Sequence, residues 1–177
     1  MIDAQEYGRA LFELAAEQGA DEAILDELSA VEQILRAQPE YVQLLDTPAL
    51  PKKTRAALGA QAFSHLHPMH LNFIQILCEK HAVKHYGACA SQYRSLFDQS
   101  HGILRAAAIT AVPISRSQRK ALAAKLEGLT GKTVVVTNQV DPQVLGGVRL
   151  RLDGTQLDGS LQARLADLRR SLTNAIV

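Results

Sequence analysis

The chain has 177 residues, of which 47% are hydrophobic and 21% charged, a composition that excludes an intrinsically disordered protein. With no Trp and only four Phe and four Tyr, its core must consist mostly of aliphatic side chains. The net charge of +1 is unevenly distributed, because residues 1–50 carry −9 and residues 51–177 carry +10. Such polarity suits a protein that meets different partners at its two ends. No apolar run is long enough to span a membrane, and we expect no export or organelle signal at the start.

The first two predicted helices are amphipathic. Asp3 and Glu6 have the spacing of a helix N-cap and its partner in a capping box. The helix that follows ends near Gly19 and has one stripe of side chains: Tyr7, Leu11, Leu14 and Gln18. A second helix begins at Asp21 and repeats apolar residues at steps of four, three and four: Ile24, Leu28, Val31 and Leu35. Its opposite face is acidic, and we expect that face to be exposed to solvent.

Four further helical segments are predicted before residue 101. Two of them cover residues 39–45 and 52–63, separated by prolines that interrupt the helical pattern. The third follows Pro68 and is apolar on nearly every side, which predicts a central helix buried on most of its surface. The fourth runs to about Ser100. Six helices joined by short linkers predict a six-helix bundle.

The pattern changes to short β-type runs after Gly102. A strand is predicted within residues 103–112, then a helix from a capping box at Ser115 to Leu129, then β-branched residues 133–137. Alternating residues 148–152 precede Asp153-Gly154, a strong hairpin signal, and the chain ends on a predicted helix with a leucine row. The leucines of that row are Leu161, Leu165, Leu168 and Leu172. We therefore predict a mostly α protein with a helical domain at 1–104 and a small α+β domain at 105–177.

Residues 128–133 (GLTGKT) resemble a phosphate-binding loop only in part. Such a loop requires Gly five residues before Gly131, where this chain has Leu126, and it leads into a helix rather than out of one. We interpret the segment as the C-terminal turn of a helix. The sequence predicts no cofactor.

Histidine and cysteine pairs raise the question of a metal site. Cys78, His81, His85 and Cys89 repeat at steps of three and four, but four ligands spread along one unbroken helix cannot reach one ion. A metal site would require a break near Val83 that folds two of the ligands against the other two. We expect buried thiols and partly exposed imidazoles there. A second group straddles Pro68 and is predicted to lie in a surface loop: His65, His67 and His70. No motif for a nucleophile and its base occurs, so we predict neither a metal site nor catalysis.

The C-terminal part of the chain, residues 105–177, supports a rival interpretation of the function. Residues 105–177 carry a net charge of +6, which is compatible with a small nucleic-acid-binding module. The charges are scattered, however, and the segment has no aromatic residue on which a base could stack.

Four blocks of the sequence resemble the delta subunit of bacterial F-type ATP synthases, whose mitochondrial relative is the oligomycin-sensitivity-conferring protein. They are residues 7–15 (YGRALFELA), 72–79 (NFIQILCE), 140–148 (VDPQVLGGV) and 158–160 (DGS), in register over the whole chain. The resemblance implies a non-catalytic subunit of the peripheral stalk, or stator, which ties the catalytic alpha/beta head to the b subunits so that rotation is coupled to ATP synthesis. It also implies a peripheral location on the cytoplasmic face of the bacterial plasma membrane.

The resemblance further implies where the partners bind. In this family the N-terminal helix of the alpha subunit lies between the first and fifth helices, which here carry Tyr7, Ala10, Leu11, Phe12, Leu14, Leu71, Phe73, Ile74 and Leu77. The C-terminal domain meets the b subunits, and the positions that match its motifs, which we interpret as structural, are Asp141, Gly146, Gly147, Asp158, Gly159 and Ser160. The chain departs from the family pattern at Gly8, where Ala is usual, and at residues 80–83.

Overall fold

The computed structural model describes residues 3–144, 147–152 and 155–158. The protein is mostly helical with one small sheet, and it divides into two compact units, Met1–Phe97 and Asp98–Val177. The sequence-based division lies a few residues later, between 104 and 105. The Asp98 carboxylate accepts a hydrogen bond of 2.9 Å from Arg105 Nη2, and both residues belong to the second unit.

The described part of the first unit is built from six α-helices, and their bounds follow the helix-breaking residues in the sequence. They are α1 Ala4–Glu17, α2 Asp21–Ala37, α3 Pro39–Asp46, α4 Lys52–Ala62, α5 Pro68–Glu79 and α6 Tyr86–Ser100, with a 3-10 helix at Val83–His85. Pro39 and Pro68 occupy the first turns of α3 and α5, where a missing N–H costs nothing. Asp3 caps α1 as predicted, although its carboxylate accepts from the Gln5 N–H, so the reciprocal box with Glu6 is not formed.

The predicted apolar face of α2 is confirmed. Its four apolar residues are all buried: Ile24, Leu28, Val31 and Leu35. The acidic face of α2 is less exposed than predicted, because Glu27 and Glu32 have partners on other helices. Glu32 accepts hydrogen bonds from Arg36 of its own helix and from Arg94 of α6.

Nine of the twelve residues of helix α5 are buried or half-buried, but the helix is not covered on every side. Phe73, Ile74, Leu77 and Cys78 point into the core, whereas Ile76 remains 43% exposed. An apolar composition on every side therefore did not mean burial on every side, because the side of α5 that carries Ile76 is left partly open to solvent.

Helices α1 and α6 approach closely at Gly8. A Cβ atom built on this buried glycine would lie 2.5 Å from the Cys89 carbonyl oxygen and 2.9 Å from Gln92 Cβ. Only a glycine fits this approach without movement of the α6 backbone. The departure from the family pattern at Gly8 therefore has a local structural reason.

Within its described residues, the second unit combines an α-helix with a four-stranded sheet. Its elements are β1 Ile103–Thr110, α7 Arg116–Thr130, β2 Thr133–Val140, β3 Val148–Leu152 and β4 Thr155–Asp158, with strand order β2-β1-β3-β4. Strands β1 and β2 are parallel, and the other two pairs are antiparallel. The capping box at Ser115 and Gln118 is confirmed, with both reciprocal hydrogen bonds present.

Helix α7 covers one face of the sheet. Side chains of alternate strand residues pack beneath it with Leu126: Leu104, Ala106, Ala108, Val134 and Val136. Asn138 joins the parts of this unit, since its Nδ2 donates to Ala108 O (2.9 Å) and its Oδ1 accepts from the Ile114 N–H (3.1 Å). The polar contacts of Asn138 thus fix the segment that leads into α7.

Several predictions fall on residues outside the described ranges. These are the Asp153-Gly154 turn, the leucine row of residues 161–172, and the motif positions Gly146, Gly159 and Ser160.

Candidate functional site

An apolar groove lies between α1 and α5. It has a volume of about 260 Å³ and is lined by Tyr7, Ala10, Leu11, Leu14, Met69, Asn72, Phe73 and Ile76. Leu14 is 50% exposed and Ile76 is 43% exposed, although both are large aliphatic side chains. Exposed apolar side chains gathered in a concave site are typical of surfaces that bind another molecule.

The structure sorts the predicted groove residues into three groups. Tyr7, Ala10, Leu11, Leu14 and Phe73 line the groove. Ile74 and Leu77 are only 3% and 0% exposed and belong to the core behind it.

The remaining two predicted residues are also not among the lining residues. Phe12 packs edge-on against Tyr93, with ring centroids 5.4 Å apart, so it serves the contact between α1 and α6. Leu71 is half-buried on α5 and lies outside the groove lining.

Sequence reasoning missed three groove residues: Met69, Asn72 and Ile76. With Phe73 they form a stripe at positions i, i+3, i+4 and i+7 of α5, which is the spacing of one helix face. The polar Asn72 interrupts this stripe, so apolar periodicity alone does not indicate it.

The N-terminal end of α5 is fixed by a buried polar network. Glu27 Oε1 accepts from the His67 N–H, and Glu27 Oε2 lies 2.9 Å from His70 Nδ1. His70 Nε2 lies 2.8 Å from the Tyr86 hydroxyl. The prediction that His70 lies in a surface loop is wrong, since its side chain is 0% exposed. Its position in the first turn of α5 points it between α2 and α6, where both ring nitrogens find partners.

Burial sets the protonation state of this network. Desolvation lowers the pKa of His70, and its hydrogen bond to Glu27 and the charge of that carboxylate offset the effect only in part. Burial also raises the pKa of Tyr86. Neutral His70 can donate from Nδ1–H to Glu27 and accept the Tyr86 O–H at Nε2.

The C-terminal end of α5 is held by Arg55 of α4, whose side chain is 2% exposed. Its guanidinium donates to four backbone carbonyls: Thr47, Leu50, Cys78 and Glu79. Its Nη2 also lies 2.9 Å from His81 Nε2. Because the last carbonyls of a helix lack partners within the helix, this cation both satisfies them and suits the negative end of the helix dipole. The α5 wall of the groove is therefore anchored at both ends.

Neither cysteine has the environment of a reactive thiol. Cys78 and Cys89 are free and buried, and burial raises the pKa of each to about 11. In the part of the chain that the structure describes, no group of three or more His, Cys, Asp and Glu is placed to hold a metal ion. The turn at Gly131 is the left-handed C-cap of α7, with φ 67° and its N–H on Glu127 O at 2.8 Å, as the sequence predicts.

The second unit contains three of the matched motif positions within its described residues. The Asp141 N–H donates to Thr110 O, and its Oδ1 accepts from the Gln143 N–H at 2.9 Å. Gly147 has a φ of 86°, a conformation that favours glycine. Asp158 ends β4, where its backbone pairs with Arg149.

The α-helices of the described ranges include none that is both long and apolar enough to cross a lipid bilayer.

Comparison with known proteins points to one family. A family model described as "ATP synthase delta (OSCP) subunit" matches residues 4–172. The chain is 36% identical over 173 residues to the ATP synthase subunit delta of Anaeromyxobacter sp. (strain K), covering 96% of both chains. It is 33% identical over 174 residues to the subunit of the same name from Syntrophobacter fumaroxidans, covering 97% of this chain and 95% of that one.

Solved structures give the same fold. A chain of the Toxoplasma gondii mitochondrial ATP synthase hexamer superposes with a TM-score of 0.72 at 22% identity, and the match covers 98% of both chains. A chain of the Polytomella F-ATP synthase matches 55% of this chain and 87% of its own length, with a TM-score of 0.50 and 16% identity.

Proposed function

This chain belongs to the ATP synthase delta (OSCP) subunit family, the non-catalytic peripheral-stalk components of F-type ATP synthase, and we propose that its α1–α5 groove binds an alpha-subunit N-terminal helix. The observation that carries this proposal is the exposure of Leu14 and Ile76 on the two walls of one apolar groove. An amphipathic helix would bury both side chains together with its own apolar stripe, which is the helix-in-groove mode of recognition.

The walls of the groove favour a rigid docking site over one that forms on binding. The network of Glu27, His70 and Tyr86 anchors one end of α5, and Arg55 anchors the other. A preformed groove loses less conformational entropy when its ligand binds. We infer that the six helices act together as one bundle with α1 and α5 as its docking side.

The proposal assigns the two units to two partners. The helical domain, residues 1–104, binds the alpha/beta head, and the α+β domain, residues 105–177, binds the b subunits of the peripheral stalk. As a peripheral subunit of a membrane-associated enzyme, the protein would be held at the cytoplasmic face of the bacterial plasma membrane through the complex alone. This assignment links head and stator so that the head does not turn with the rotor. The rival nucleic-acid-binding function is less favoured, because the basic residues of 105–177 are scattered in the sequence and none of these residues is an aromatic on which a base could stack.

The groove is tested with charged substitutions at its exposed apolar residues. The full-length chain is titrated with a peptide of the first ~20 residues of the alpha subunit from the same organism, a length that suits an amphipathic helix. Leu14→Glu and Ile76→Glu should each weaken binding at least about tenfold, because a charge would be buried against the peptide.

Matched controls separate the groove from the rest of the surface. Leu44 and Ile34 are 43% and 44% exposed, and neither lines the groove. Leu44→Glu and Ile34→Glu should therefore leave the peptide affinity unchanged. Equal affinity for all four variants, or no binding by the unaltered chain, would contradict the proposed site.

A further inference from the structure

A second cavity continues the seam between α1 and α5 beyond the apolar groove. This polar cleft has a volume of about 810 Å³ and is lined by Asp3, Glu6, Tyr7, Lys80, His81, Ala82, Lys84 and His85. Tyr7 lines both the groove and the cleft, so the two cavities are neighbours that meet at this side chain. The groove is mostly apolar, whereas the cleft is lined mostly by ionisable side chains.

The two walls of the polar cleft carry opposite charges. Asp3 and Glu6 lie on the α1 wall, and Lys80 and Lys84 lie on the wall that follows α5. The Asp3 carboxylate caps the Gln5 N–H. Within the described part of the chain, Glu6, Lys80 and Lys84 form no ion pair or side-chain hydrogen bond. The charges thus face a common space without neutralising one another across it, and they are available to a ligand that fills it.

The lysine wall is rigidly supported from behind. His81 has a φ of 53° and ends α5 sharply; its Nδ1 lies 3.1 Å from Asp46 O and its Nε2 lies 2.9 Å from Arg55 Nη2. The Val83 N–H donates to Asp46 Oδ1 at 2.9 Å. These contacts fix the backbone from which the exposed side chains of Lys80 and Lys84 project.

We propose, on the basis of the function proposed above, that the polar cleft is the ionic end of the same docking site and sets the direction in which the alpha-subunit helix lies. The bound helix extends past Tyr7, placing an acidic side chain between Lys80 and Lys84 and a basic side chain beside Glu6. The stretch of α1 from Asp3 to Leu14 is about 16 Å long, which corresponds to about three turns of a bound helix.

The charge balance of the cleft explains why the cleft would orient the bound helix rather than attract it from a distance. Two carboxylates and two ammonium groups sum to zero, so the cleft exerts little long-range pull on a partner. An apolar groove binds an apolar stripe in either direction. A reversed helix, however, would leave its own charges unpaired and Glu6, Lys80 and Lys84 without partners. Electrostatic complementarity of this kind contributes specificity more than affinity.

The test is a charge-reversal cycle between the full-length chain and the alpha-subunit peptide. Lys84→Glu should weaken binding about tenfold at low salt, and less at high salt, because the site is open to solvent. Lys53→Glu on α4 is the matched control: Lys53 is exposed and lies outside both cavities, so its reversal should not change the affinity.

The second arm changes the peptide. Replacing its acidic residues one at a time by Lys should reveal one position at which the affinity of the Lys84→Glu variant is restored. If the unaltered chain binds the peptide but no position is coupled to Lys84, the directional role is wrong while the groove stands. If Lys84→Glu lowers the affinity for a peptide without acidic residues by the same factor, the directional role of the cleft is also wrong. If Leu14→Glu leaves binding intact, the proposed function itself fails, so the two failures are distinguishable.

Discussion

Nδ1 of His70 lies 2.9 Å from Oε2 of Glu27, although the two residues are 43 positions apart in the sequence. This contact joins α5 to α2, and the Tyr86 hydroxyl on the other ring nitrogen joins both to α6. A buried imidazole with two fixed partners makes the stability of the helical unit dependent on pH.

Acidification should destabilise the protein through His70. In the unfolded chain His70 has a pKa of about 6.5, whereas burial lowers its pKa in the folded chain. The unfolded state therefore takes up a proton first as the pH falls below about 6.5, and the stabilisation by neutral His70 is lost towards the lower folded pKa. Urea unfolding at several pH values between about 8 and 5 measures the slope. His70→Gln should flatten it, and an unchanged slope in that variant would refute the assignment.

Two glycine substitutions should have opposite effects on stability. Gly8→Ala places a Cβ atom 2.5 Å from the Cys89 carbonyl, and overpacking of this kind typically costs about 1–3 kcal/mol. Gly128 of α7 has nothing within 4 Å of the position of its Cβ, so Gly128→Ala should stabilise by up to about 1 kcal/mol through helix propensity. Thermal unfolding of the two variants gives the comparison, and stabilisation by Gly8→Ala would show that α6 can move away.

Replacement of Arg55 by Lys should destabilise the helical unit despite the conserved charge. A lysine cannot reach the several carbonyls that the guanidinium binds, and each buried unsatisfied carbonyl costs about 1–3 kcal/mol. We expect a total loss of about 2–4 kcal/mol in the free energy of unfolding. Arg36→Lys is the control, because Arg36 forms an exposed ion pair with Glu32 on the same helix. Similar losses in both variants would mean that Arg55 is not the anchor of α5.

The two thiols should report unfolding. Burial raises the pKa of Cys78 and Cys89 to about 11, so little thiolate exists at pH 8 in the folded protein. A thiol-specific reagent should react slowly with the native chain and rapidly in denaturant. Rapid labelling of the native protein, followed by peptide mapping, would show that one of the two helices opens.

The sequence predicted the elements well wherever a single local signal decided them. Pro39, Pro68, Ser115 and Gly131 mark starts and ends that the structure confirms, because caps and prolines act within one turn. The α2 stripe was also predictable, since an amphipathic helix with one apolar face has only one way to bury it.

Most of the predictions that failed depended on a distant partner, the capping box of Asp3 with Glu6 being a local exception. His70 reads as a loop residue until Glu27 and Tyr86 are placed around it. The exposure of Ile76 could not be predicted, because it depends on which helices pack against α5 and which side they leave open. Asn72 was not predicted because a polar residue does not stand out in an apolar pattern. A polar residue can nevertheless line an apolar groove when the site is open to water.

The position of β1 within the sheet affects how the second unit folds while the chain is being synthesised. Both neighbours of β1, the strands β2 and β3, follow it in the chain, so β1 leaves the ribosome before either pairing edge can be covered. The apolar residues of β1 that are buried in the folded unit, and its backbone N–H and C=O groups, have no partners until α7 and β2 have emerged. A nascent chain that stalls in α7 would therefore present an open strand edge, the kind of surface on which incomplete chains aggregate.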